Sequence, residues 1–165
     1  MKAAIEDWYG WFTAASSGLQ SPFLLFVRMY WGWQFIVTGW AKVNNIDKVA
    51  GFFTTLGIPL PGLSAHFVAG LELVGGILLM LGLGTRLTGL LLSTNMLAAY
   101  ITADRAALLS FLNDPDKFTS AAPFTFLAAS MVALIFGAGL FSVDSWIVWK
   151  RRPRVELRHP LARAD

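Results

Sequence analysis

No cysteine occurs in the 165 residues, so the chain alone forms no disulfide, iron–sulfur cluster, c-type haem attachment or thiol relay. Charge is also scarce, at 14% of residues, where a soluble domain carries about 25%. Histidine is limited to His66 and His159, too far apart in sequence to suggest a haem axial pair or a clustered metal centre. No nucleophilic triad is apparent, and the GLGTR turn at Gly82–Arg86 lacks the pattern and context of a phosphate loop. The first fifteen residues contain Glu6 and Asp7 and no compact apolar core, which argues against a cleavable signal peptide. What remains is apolar: 56% of residues are hydrophobic and the mean hydropathy is +0.58, the composition of one integral membrane domain.

The net charge of +3 would suit nucleic acid, but its placement does not. Six of the 13 Lys and Arg residues lie at or beyond Lys150, directly after an apolar segment. A basic tail there suits anionic lipid headgroups and membrane orientation. The expected partner is therefore the bilayer rather than nucleic acid.

Read in order, residues 1–21 form an interfacial N-terminal segment, with Trp8, Tyr9, Trp11 and Phe12 on a stretch too short to span and a polar turn at Ser16–Ser21. Residues 22–145 hold four spans: Pro22–Ala41, Leu63–Gly84, Leu87–Ala103 and Phe124–Phe141. Residues 146–165 form a basic tail behind Trp146 and Trp149. The spacing of Val49, Phe52, Phe53 and Leu56 predicts a short amphipathic surface helix, capped by Asn45 and ended by Gly57, and Arg105–Leu112 suits another. The fold expected is all-α, an integral membrane four-helix bundle with short interfacial helices. Lys2, Arg86 and the tail basics fall on one side, and Lys42, Lys48, Arg105 and Lys117 on the other, which predicts a multi-pass inner or plasma membrane protein with both termini cytoplasmic.

The residue that most needs explaining is Glu72, a carboxylate inside the second span. An ionised group at the centre of a membrane helix costs roughly 2.5–3.5 kcal/mol on insertion scales, so it faces protein or water and finds partners. Its helical stripe, Ala65, Ala69, Gly76 and Leu79 with Gly75 adjacent, is mostly small and suits a helix contact. On the first span Arg28, Gly32, Phe35, Gly39 and Lys42 share one stripe. At about 1.5 Å per residue, Arg28 lies roughly 9 Å, Asn95 about 13 Å along its span and Glu72 roughly 18 Å from the cytoplasmic ends. Arg28 is the expected ion-pair partner of Glu72, with Lys42 competing from the outer end and Asn95 as a polar neighbour. Trp31 is the aromatic best placed beside Arg28 to stack on a ring. Arg86 and Lys42 sit near span ends, where snorkelling and capping compete with ligand binding.

These residues resemble the DoxX family of small four-helix membrane proteins. The resemblance rests on Arg28 with Gly32, TGWAKV at Thr38–Val43, FFTTLGIPLP at Phe52–Pro61, LELVGGILLMLGLGTR at Leu71–Arg86, Met96, and GAGLFSVD at Gly137–Asp144. It implies association with quinone-linked redox systems. Relatives often carry an acidic residue early in the fourth span, and PFTFLAAS has none. The resulting expectation is a membrane subunit binding a quinone or similar small ligand near Arg28, Trp31, Lys42, Glu72, Asn95 and Arg86, with Glu72 as proton relay. No haem, iron–sulfur cluster or metal is expected, and a membrane or peripheral protein partner is expected to supply the electrons, since the lack of cysteine and of a cofactor motif argues against redox catalysis by this chain alone. The alternative is a noncatalytic scaffold or assembly subunit, and either can form homo-oligomers.

Overall fold

The computed structural model describes residues 2–151, and among these every regular element is helical. They are α1 (Lys2–Val43), α2 (Ile46–Thr55), α3 (Pro61–Leu81), α4 (Thr85–Thr102), α5 (Arg105–Leu109), α6 (Pro115–Thr119), α7 (Pro123–Phe136) and α8 (Val143–Arg151). By length and composition, α3 is the one helix among the described residues that is long and apolar enough to cross a membrane. The tail beyond Arg151 lies outside the described residues.

The four longest helices, α1, α3, α4 and α7, pack in a ring. The most extensive contact is α1 on α3, followed by α4 on α7, with α3–α4 and α1–α7 contacts closing the circuit. The small stripes explain the first contact. A Cβ on Gly39 would stand 2.5 Å from the Leu73 amide nitrogen, and one on Gly76 would stand 2.7 Å from the Gly32 carbonyl oxygen, so only glycine lets these backbones approach so closely. The buried residues of α3 are Ala65, Ala69, Glu72, Gly75, Gly76 and Leu79, the face its spacing predicts. On the other side of the ring, Ser93 donates to Ser130 across α4 and α7 at 3.0 Å. Phe35, Leu79, Leu92, Met96 and Ala133 fill the core between the four helices.

Several local expectations change. The polar turn at Ser16–Ser21 is absent, because α1 runs through Pro22 without a break. Proline removes one backbone donor and crowds the carbonyl four residues before it, here that of Gly18, yet the helix continues past it. The reversal between α3 and α4 is Gly82–Gly84, with Thr85 already opening α4. The last long helix stops at Phe136, and residues 137–142 leave it as an irregular segment. Pro115 opens the short helix α6, and Val143–Arg151 is helical, carrying Trp146 and Trp149 at the start of the expected basic tail. Tyr100 anchors the intervening loop, donating to the Phe118 carbonyl at 2.8 Å and stacking on that ring.

Candidate functional site

Glu72 is 1% exposed and lies on the α3 face turned toward α1. Its partner is Lys42, whose ammonium donates to both carboxylate oxygens across the α1–α3 contact. From α4, the Asn95 side-chain amide donates to Glu72 Oε1 at 3.1 Å. Three helices thus converge on one carboxylate. The glycine contacts set the slide of α1 along α3: Gly39 lies against Glu72 and Leu73, which brings Lys42, one turn further on, to the carboxylate.

Arg28 is not the partner. It sits 14 residues, about 21 Å, below Lys42 on the same stripe, so it shares the stripe's direction but not the depth of Glu72. Arg28 is itself 1% exposed and donates through Nη2 to the Phe141 carbonyl in the segment after α7. Its Nη1 packs against Gly82, whose φ of +66° and lack of a Cβ are both required there. Close by, Asp144 accepts from the Gly84 and Thr85 amides at 2.7 and 2.9 Å and returns its own amide to the Gly82 carbonyl at 2.9 Å. This second polar node joins α1, the α3–α4 turn and the start of α8. Trp31 is also too far along α1 for the Glu72 site, and makes edge contacts with Tyr30 and with Phe126 of α7, both at 5.2 Å between ring centroids. Arg86 lies beyond the α3–α4 turn, at the end of α4 remote from Asn95. Of the six candidate residues, the fold brings together Lys42, Glu72 and Asn95, and leaves Arg28, Trp31 and Arg86 elsewhere.

The three assembled residues stand at the wall of a chamber of about 1090 Å³ between α2, α3 and α4. Its other walls are mostly apolar, with Ser64, Thr94 and Thr102 among them. The α2 stripe of Val49, Phe52, Phe53 and Leu56 faces it from one side, and Phe67 and Leu91 from the helices below. None of the α2 residues is buried, so α2 covers a space rather than a packed core. Lys48 stands at the rim. A narrower groove of about 340 Å³ shares Phe67, Leu71 and Leu91 with the chamber and continues along the α3–α4 seam past Gly70 to Leu78 and Thr88. The sequence exposed the amphipathic stripe of α2 but not what it covers, because that depends on how far α3 and α4 separate away from their shared turn.

A large apolar space with a few convergent polar groups is the usual form of a small-molecule site. An ammonium has three N–H donors and a primary amide two. Lys42 spends two on Glu72 and Asn95 one, so each retains a donor for an acceptor oxygen in the chamber.

Residues 23–105, half of the chain, match the profile of the DoxX family. The chain belongs to the DoxX family. A relative from Bacillus subtilis (strain 168), named "Putative oxidoreductase CatD", is 36% identical over 78 residues, which cover 47% of this chain and 57% of that protein. The matched stretch thus spans little more than half the relative's length. No solved structure matches. The family match contains Arg28, Trp31, Lys42, Glu72, Asn95 and Arg86, and stops before α7 and the Phe141–Asp144 node. DoxX is a membrane family.

Proposed function

We propose that this DoxX protein is a multi-pass membrane subunit of a quinone-linked redox system, crossing the bilayer as a four-helix bundle of α1, α3, α4 and α7 with both termini cytoplasmic. The carrying observation is the Lys42–Glu72–Asn95 cluster at the wall of a mostly apolar chamber. Membrane embedding is supported by large apolar side chains exposed on all four helices, including Phe26, Trp33, Phe67, Leu87 and Ile135.

The donor set fits a quinone headgroup: Lys42 and Asn95 offer their remaining N–H groups to carbonyl oxygens, and Phe52, Phe53 and Phe67 offer ring and edge contacts. When bound, a quinone supplies the redox chemistry, accepting two electrons and two protons from outside this chain. Lys42 has a partly exposed side chain, at 32%, and meets the fully enclosed Glu72, so the pair connects the chamber wall to the surface at the end of α1. Glu72 holds a proton-transfer position at Oε1 and Oε2, and Asn95 fixes the orientation of Oε1. A protein partner supplies the electrons. The narrow groove beyond Leu71 suits the hydrocarbon tail of the same ligand.

The test is turnover in the assembled complex. Glu72→Gln keeps the shape of the side chain and is expected to fold and to abolish quinone turnover; full turnover by the folded variant would contradict the relay. A noncatalytic scaffold is the second reading, favoured by Trp8, Tyr9, Trp11 and Phe12, which stand exposed on the first turns of α1. It predicts a stable protein partner or a second copy, with no quinone in the chamber.

A further inference from the structure

At the end of the bundle opposite the Glu72 chamber, a second cavity of about 630 Å³ opens between the α3–α4 turn and the segment joining α7 to α8. Arg86 lines it, reaching over Gly137, where a Cβ would lie 3.3 Å from Arg86 Nε. Thr85 lines it too, 1% exposed, and its hydroxyl is without a hydrogen-bond partner among the described residues. The outer walls are the exposed apolar side chains of Leu87, Phe136, Leu140 and Val148. The opposing charge is Asp144, whose two oxygens already accept the Gly84 and Thr85 amides. That leaves Arg86 without an ion-pair partner among the described residues. Lys150 and Arg151 follow on the last turn of α8.

We propose that this cavity binds the headgroup phosphate of an anionic phospholipid, with Arg86 as its cation, the Thr85 hydroxyl as a further donor and the apolar walls against the acyl chains. A phosphate accepts charge-assisted hydrogen bonds from a guanidinium in paired geometry. A basic cavity between helices at the membrane surface is where such headgroups are held. A lipid, unlike free phosphate, also accounts for the apolar walls. The site is independent of the quinone reading and rests only on the membrane reading.

The experiment uses the full chain in nanodiscs of phosphatidylcholine containing a minor fraction of phosphatidylglycerol, with retained lipids counted by native mass spectrometry. Preferential retention of phosphatidylglycerol is expected, falling about fivefold to tenfold in Arg86→Gln and largely kept in Arg86→Lys. Leu140→Glu places a like charge on an exposed wall and is expected to lower retention as well, which decides the matter if Arg86→Gln does not fold. Equal retention by wild type and the folded variants, or equal retention of both lipids by wild type, would overturn the proposal. Excess inorganic phosphate is expected to leave retention unchanged; displacement would overturn the lipid as the occupant.

Discussion

Lys42 and Glu72, thirty residues apart in sequence, form an ion pair at the α1–α3 contact in which the carboxylate is enclosed and the ammonium partly reaches the surface. The pair joins the packing of the bundle to the wall of the chamber under α2, so changes to it affect both. Removing only the cation leaves a buried carboxylate. Lys42→Met is therefore expected to destabilise by about 3–5 kcal/mol, and the double variant Lys42→Met/Glu72→Leu to recover most of that loss. Unfolding followed by circular dichroism in detergent compares the two; a double variant no more stable than Lys42→Met would show that the lone carboxylate is not the cause.

Arg28 serves a different purpose from Glu72. Its bond to the Phe141 carbonyl ties α1 to the segment after α7. Arg28→Gln is expected to lower stability by about 1–3 kcal/mol, since it removes the charge-assisted hydrogen bond of a buried guanidinium, while leaving quinone affinity at the Glu72 chamber unchanged. Paired measurements of unfolding and ligand titration check this, and a selective loss of affinity without loss of stability would return Arg28 to the ligand site.

Gly39 fixes the slide of α1 against α3. Gly39→Ala drives a methyl group into the Leu73 backbone, which cannot yield as a flexible side chain would. A destabilisation of about 1–3 kcal/mol is expected, together with displacement of Lys42 from Glu72. Gly51 provides the control, because a Cβ there meets nothing within 4 Å; Gly51→Ala is expected to be neutral or stabilising in the same unfolding measurement.

The α2 helix covers the chamber without a buried residue of its own. Phe53→Ser is expected to weaken quinone binding severalfold, with a change in stability of less than about 1 kcal/mol, because the site of the change is a chamber wall and not a packed core. A titration that gives wild-type affinity would remove α2 from the binding site.

Much of this arrangement is legible in the sequence. The stripe through Glu72 predicts the buried face of α3, and the stripe through Gly32 and Gly39 predicts the face of α1 that meets it, because both follow from helical periodicity alone. Periodicity sets direction, however, and not relative height. Arg28 and Lys42 point the same way, and only the seating of Gly39 on Leu73 decides that Lys42 reaches Glu72. The Phe141 carbonyl that receives Arg28 belongs to an irregular segment, where no repeating pattern announces an acceptor. The Ser16–Ser21 stretch fails as a turn for a related reason: polar composition and a proline allow a break without requiring one, and α1 continues through Pro22. The chamber is a gap between elements, so the amphipathic stripe of α2 reveals one of its walls and not its existence.

The chamber beside Lys42, Glu72 and Asn95 is proposed to hold a quinone. Native mass spectrometry of the protein extracted gently from its own membranes measures this most directly. A copurifying quinone is expected in wild type and is expected to be lost when Thr94→Phe fills the chamber from its exposed α4 wall. A wild-type protein that carries a stable partner and no quinone, or a quinone that Thr94→Phe leaves in place, would contradict it.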